Sequence, residues 1–260
     1  MRLRINIRAH QTGIKDEMTK ILVSPVAFNE NVKLKSVIER FIKSRVFGKV
    51  DYLIVDDGST DETSAVIESF RSQSVQTIKH AHRMGVGSAI RTAIKHAAQH
   101  KYDILVIMAG NDKDNPEEIP LLTEPIAKDG YDLVQGSRYL GFSRAGGQMP
   151  MYRKFAVRLH SFLLSVLTGK TMTDTTNGFR AMKVALFHDE RINLDQAWLN
   201  QYELEPYILF KAIKLGYRVT EAPVTKIYPP KKLGYTKMLP FVGWWSILRP
   251  LFYLGFGIKK

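Results

Sequence analysis

Two adjacent carboxylates open the stretch VDDGSTDET, Val55 to Thr63, where an apolar run meets a glycine turn. Acids placed there can accept hydrogen bonds from a base or ribose, or they can simply cap the turn and the helix behind it. A second pair lies in NQYELEP, with Glu203 and Glu205 just ahead of Pro206. A carboxylate at that place could take the proton from an attacking hydroxyl, or could be a first-turn acid favoured by the helix dipole. His80 and His82 alternate ahead of Gly85 and Gly87. Zinc would need further ligands that the neighbourhood lacks, and two glycines without the rest of a dinucleotide fingerprint are a weak phosphate signal, so these are read as loop residues.

Alternating elements must position these groups. The apolar runs ILVSPV, YLIV, VQTI, DILVIM and YDLVQG are separated by amphipathic stretches at 31–44, 61–70, 87–100 and 116–129. This βαβα order with buried strands predicts an α/β fold with a mostly parallel, Rossmann-like sheet flanked by helices. Asp61 and the run Asn115-Pro116-Glu117-Glu118 read as helix starts, and Gly169 and Gly216 as the stops of two later helices, followed by a strand in YRVTEAPV. In such sheets ligands collect beyond the carboxyl ends of the strands, which here means the loops after Val26, Val55, Met108 and Gln135.

The chain of 260 residues has no cysteine, which excludes disulfides and thiolate metal sites and fits a reducing compartment, the cytoplasm. Its formal net charge of +13 favours anionic partners. The basic residues are scattered, with short clusters at Lys231-Lys232 and Lys259-Lys260, and no helix-turn-helix or aromatic RNA-binding pattern accompanies them, which argues against nucleic acid. Residues 1–20 read as an N-terminal extension without a signal-peptide core. The tail, residues 239–260, is apolar and aromatic but interrupted by Arg249 and prolines. It is expected to be an interfacial segment on an anionic membrane; packing against the protein's own core or a partner subunit is the alternative.

Taken together, Pro25, Asn29 and Glu30; Asp56-Asp57-Gly58-Ser59 with Asp61; Gly85 and Gly87; Gly136 to Tyr139; Asp174 to Ala181; and Gly234 to Lys237 are in an order that resembles the family 2 glycosyltransferases of the GT-A fold. They resemble most closely the polyprenyl-phosphate, dolichol-phosphate mannose synthase-like branch, over residues 21–238. The resemblance implies an inverting transfer from a nucleotide-sugar donor to a polyprenyl phosphate by a peripheral enzyme at the cytoplasmic membrane face, as a homo-oligomer or with a membrane partner. A saccharide hydroxyl acceptor and an inactive nucleotide-sugar-binding subunit are the alternatives. It further implies a donor pocket of Pro25, Ala27, Asn29, Glu30, Asp57, Gly58, Gly85, Ala109, Gly110, Asn111 and Lys231, and an acceptor side of Gly178, Phe179, Arg180 and Lys237. Arg138 would face a phosphate, and Glu203 would be the base if the acceptor were a hydroxyl.

The family usually has Asp-x-Asp after the fourth strand, holding a divalent cation, Mg or Mn; the aligned residues here are Ala109 and Asn111. Alanine cannot ligate a metal, and a neutral amide is a poor substitute for a carboxylate. Three readings stay open: a rebuilt metal site from Asn111 with Asp112 or Asp114, replacement of the cation by Lys113, or a catalytically dead site.

Overall fold

The computed structural model describes residues 19–141, 145–146, 151–227 and 242–259. Its elements run β1 (Ile21–Ala27), α1 (Asn31–Lys43), β2 (Asp51–Asp56), α2 (Thr63–Ser69), β3 (Val75–Lys79), α3 (Val86–Gln99), β4 (Ile104–Ala109), α4 (Ile119–Asp129), β5 (Leu133–Ser137), β6 (Ala145–Gly146), α5 (Met151–Thr168), β7 (Arg180–Lys183), α6 (Leu204–Lys214), β8 (Val219–Pro223), β9 (Lys226–Ile227) and α7 (Val242–Gly255). The main sheet has the order β3-β2-β1-β4-β7-β5-β8, and β6 pairs with β9 beside it.

Strand direction follows the βαβα prediction except at β7, which is antiparallel to both β4 and β5. Arg180 to Lys183 sits inside the resemblance-bearing segment DTTNGFRA and is too short to announce itself by alternation. Elsewhere the pattern is conventional. Leu34, Val37, Ile38 and Phe41 form the buried stripe of α1, at helical spacing, and Phe41 stacks on Tyr52 of β2 with 3.8 Å between ring centroids. Alternate residues of one strand serve opposite faces: Leu22 joins the core under α3 and α6, while Val23 joins the core under α1 and α4.

The expectation of a C-terminal interfacial segment is corrected. Residues 242–255 form α7, which packs on α5 and α6. Leu251 is 1% exposed within the core that also holds Leu105, Leu164 and Tyr207. Gly255 approaches so closely that a Cβ there would sit 3.0 Å from Leu167. Arg249, whose charge seemed to interrupt an apolar run, pairs with buried Glu203 and donates to the Trp198 carbonyl. Part of the apolar composition of the tail is thus spent on the protein's own core, through Leu251, while Val242, Trp245, Phe252, Phe256 and Ile258 stay 40–73% exposed. Among the described residues no helix is long and apolar enough to cross a membrane.

His160 of α5 ties this tail to the segment after it. Its Nε2 meets the Ile247 carbonyl at 3.2 Å, and its Nδ1 meets Thr175 Oγ1 at 2.6 Å. Burial pushes the imidazole down to about 4, with the Ile247 and Asp174 oxygens opposing.

Two outcomes follow from this packing. Leu251→Ala should cost about 2–4 kcal/mol in urea unfolding, whereas a tail lying outside the core would leave stability unchanged. Between pH about 6.5 and about 4 the unfolded chain takes up a proton at His160 that the folded chain refuses. The stability contributed by His160 is therefore full above that window and lost as pH falls through it, by about 3 kcal/mol. His160→Gln should remove that part of the pH dependence, read as the difference between the two proteins' unfolding curves.

Candidate active site

The sheet reverses its direction of winding between β1 and β4, the neighbours through which the chain passes from β1-β2-β3 to the second half. A cavity of ≈ 380 Å³ opens there, beyond the carboxyl ends of both strands. Ala27, Phe28, Asn29 and Glu30 form one wall, Ala109, Gly110, Asn111 and Lys113 another, and Thr176, Asn177, Gly178 and Glu205 the far side. Lys33, Arg83, Lys113, Arg138, Arg153 and Lys226 line it against the acids Glu30, Asp57 and Glu205, so the cavity carries an excess of positive charge.

The two adjacent aspartates divide their labour. Asp56 accepts from Ser59 N–H at 2.9 Å and from Ser64 at 2.6 Å, closing the turn in which Gly58 takes a φ of 71°. Gly58 builds the wall from behind, since a Cβ there would lie 2.3 Å from the His82 backbone. Asp57 reaches the cavity yet also accepts from Met84 N–H, Gly85 N–H and His80 Nδ1 at 2.8–2.9 Å. It therefore fixes the His80–Gly85 loop whose Arg83 guanidinium sits 4.4 Å over the Phe28 ring. Asn29, at φ 51°, bonds Thr60, and Glu30 pairs with Lys33 at 3.0 Å.

Behind β4 the acids of the rebuilt-metal reading are already committed. Asp112, at φ 57°, turns to α1, accepting from Arg40 at 2.6 Å and Ser36 at 2.7 Å. Asp114 is buried, accepts from Ala109 N–H at 3.0 Å, and pairs with Lys226 Nζ at 2.6 Å. Neither lines the cavity. Asn111 does, with its Oδ1 buried and without a hydrogen-bond partner among the described residues, but it is one neutral oxygen. Among the described residues no three His, Asp or Glu side chains gather as a metal site. A divalent cation needing several oxygen ligands does not fit this set.

Lys113, between the two committed acids, points into the cavity with 6% exposure. Burial, then Lys226, Arg153 and Lys33, push its ammonium down to about 8, and Glu30 opposes them.

Other expected site residues take supporting positions. Arg138, expected to face a phosphate, is locked to Asp174 through Nε at 2.6 Å and through a second guanidinium nitrogen at 2.7 Å, with Thr176 at 2.8 Å. Arg180 is 2% exposed beneath the cavity, donating to the Glu205 and Asn177 carbonyls. Glu203, expected as the base for a hydroxyl acceptor, is 1% exposed, pairs with Arg249 and lies off the cavity; Glu205 is the acid that lines it. Gly178 makes room for that carboxylate, since a Cβ there would sit 3.2 Å from its Oε1. Phe179 is core, Pro25 is buried in β1 opposite Met108, and Gly85 abuts the Asn200 carbonyl. Lys231 and Lys237 lie outside the described residues.

The cavity also recruits Lys33, Arg153, Tyr202 and Lys226, which sequence reasoning passed over. Only Lys33 had a signal, its i,i+3 spacing from Glu30. Lys226 follows β8 in sequence and becomes important only because β9 passes under the β4 loop.

A sequence model of the family described as Glycosyl transferase family 2 matches residues 26–190, more than half of the chain and all of the β1–β5 walls. The chain belongs to glycosyl transferase family 2. This glycosyltransferase is an enzyme that moves a sugar from a nucleotide-sugar donor to an acceptor. It is 31% identical to the undecaprenyl-phosphate mannosyltransferase of Micrococcus luteus over 72% of this chain and 75% of that one. It is 27% identical to the UDP-N-acetylglucosamine–dolichyl-phosphate N-acetylglucosaminyltransferase of Methanococcus voltae, over 78% and 83% of the two chains. Its fold is similar to that of glucosyl-3-phosphoglycerate synthase from Mycobacterium tuberculosis in complex with Mn2+ and UDP-glucose, with a TM-score of 0.65 at 20% identity, covering 93% of this chain and 80% of that one.

Asp57→Ala in this glycosyltransferase removes the acceptor of two backbone N–H groups and an imidazole at once. It should cost about 2–4 kcal/mol in urea unfolding and weaken nucleotide binding at least tenfold by calorimetry, as the His80–Gly85 loop loses its anchor.

Proposed function

We propose that the enzyme transfers a sugar, with inversion, to the phosphate of a polyprenyl-type lipid at the cytoplasmic membrane face. One observation carries this reading: helix α5 contributes Arg153 to the basic cavity from one side and presents an exposed apolar face on another. Arg153, in the first turn of α5, lines the cavity. From the same helix Met151, Tyr152, Phe155, Leu159, Phe162 and Val166 stand 41–76% exposed. At 100° per residue these six fall within about one quarter of the helix circumference, while Val157, His160 and Leu164 face the core. Exposed Lys154 and Arg158 lie along one edge of the stripe. A lipid phosphate matches both parts, with its anion in the cavity and its isoprenoid chain along α5. The names of the M. luteus and M. voltae relatives, which specify undecaprenyl phosphate and dolichyl phosphate, support the same acceptor class.

The chemistry asks little of the protein beyond positioning. A lipid phosphate oxygen is anionic at neutral pH and attacks the anomeric carbon without a general base, and the bond to the nucleotide diphosphate breaks on the opposite face. Catalysis then consists of holding donor and acceptor in line and stabilising the charge that collects on the departing diphosphate.

Glu205 supports the second reading, attack by a saccharide hydroxyl, because its carboxylate lies in the cavity where a base would be needed. Nucleotide release from UDP-, GDP- and dTDP-sugars, measured with polyprenyl phosphate in anionic vesicles and with soluble saccharides, separates the two. Lipid-dependent release, a product of inverted configuration, and a loss under tenfold in Glu205→Gln are the expected results. Release with saccharides alone, together with a loss above a hundredfold in Glu205→Gln, would establish the hydroxyl acceptor instead.

A further inference from the structure

The misfit between this loop and a divalent cation leaves open what neutralises the departing diphosphate. The answer rests on how the β4 loop is held. Asp112 is drawn outward to Arg40 and Ser36, and Asp114 is drawn down to Ala109 N–H and Lys226. The Lys113 carbonyl accepts from Ile227 N–H of β9 at 3.0 Å. With both neighbours and its own backbone anchored, Lys113 has its side chain directed into the cavity.

We propose that the Lys113 ammonium, supported by Lys226, replaces the divalent cation of the donor site, so that nucleotide-sugar binding and transfer in this enzyme are independent of metal. This rests on the reading of the cavity as a nucleotide-sugar site and holds for either acceptor.

Three observations converge on it. The first concerns ligands: the positions that would carry carboxylates toward a metal are Ala109 and Asn111, and the nearby acids are bound to protein cations. The second concerns charge. Lys226, Arg153 and Lys33 line the same cavity and each disfavours the Lys113 ammonium, with Glu30 alone opposing them, so Lys113 is buried beside more positive than negative charge. An anion such as a diphosphate entering the cavity would offset that excess. The third concerns rigidity. Lys226 Nζ is fixed by Asp114 at 2.6 Å and Asn177 at 2.9 Å, so the second ammonium is preorganised and need not be recruited. A lysine is a point charge with three donors, suited to a diphosphate oxygen that gains charge as the glycosidic bond breaks. At the donor no proton need move: as the acceptor oxygen bonds the anomeric carbon, the electron pair of the breaking C–O bond goes to the diphosphate, which leaves as the nucleoside diphosphate paired with the ammonium groups, and a hydroxyl acceptor would in addition give its proton to Glu205.

The test is calorimetric binding of UDP, GDP and dTDP to the full-length protein, in excess chelator and in millimolar Mn2+ or Mg2+, with nucleotide release measured in parallel. The expected results are binding of at least one nucleotide whose Kd changes less than threefold between chelator and metal, and at least tenfold weaker binding in Lys113→Ala. Release by the wild type should likewise be unaffected by chelator, and Lys113→Ala should lose a hundredfold or more in kcat, with Lys113→Arg recovering part of it. Metal-induced tightening of wild-type binding by more than tenfold would overturn the proposal, as would release abolished by chelator, no binding in chelator, or a Lys113→Ala protein that binds and turns over like the wild type. The wild-type chelator comparison decides the matter even if the variants fold poorly. A saccharide-only acceptor would refute the lipid reading while leaving this result intact.

Discussion

The buried pair between Asp114 and Lys226 holds the active site in its shape. Its side chains are 0% and 10% exposed, so both charges have left water and each depends on the other. Removing one partner of such a pair typically costs about 3–5 kcal/mol, because the remaining charge is stranded. Here the pair also ties three separate pieces of chain together. Asp114 caps the end of β4 through Ala109 N–H, Lys226 belongs to β9, and Asn177 shares the ammonium from the segment leading to β7. The cavity walls keep their spacing because this knot does.

A second buried pair, Arg138 with Asp174, performs the same service on the far side of the cavity. Glu221 of β8 accepts from the backbone N–H groups of Thr173 and Asp174, so the loop that carries Thr175 to Gly178 is suspended between two carboxylates and a guanidinium. Several residues whose types suggest catalysis are therefore the frame that holds the catalytic surface. Arg138, Glu203 and Asp112 are held by Asp174, Arg249 and Arg40, and Lys113, Lys226, Arg153 and Arg83 add positive charge to the cavity lining.

Much of this was legible in the sequence because the first half obeys local rules. Strand runs, helix caps at Asp61 and Asn115, and the left-handed glycines Gly169 and Gly216 correspond to what the fold contains. The location of the cavity followed from strand order alone. Partnerships across long sequence separations were not legible. That Glu203 meets Arg249, that Lys226 meets Asp114, and that β7 inserts between β4 and β5 depends on the closed sheet, which no window of residues contains. The tail misled for a related reason. Hydrophobicity does not tell which side of a segment is covered, and only the fold shows that α5 and α6 cover the side of α7 that carries Leu251.

The antiparallel β7 has a consequence for how the molecule comes into being. The sheet cannot be assembled in the order in which the chain is synthesised, since β7 follows both of the strands it joins. Until Arg180–Lys183 has emerged, β4 ends a four-stranded sheet as a bare edge of apolar residues, and β5 has no place to dock. A nascent chain therefore carries a sticky, unpaired edge through the synthesis of about seventy residues, the circumstance in which strand edges recruit wrong partners. The segment that carries Arg180 beneath the cavity is thus also the one that ends this exposure, so damage to it would be felt in yield of folded protein before it was felt in rate.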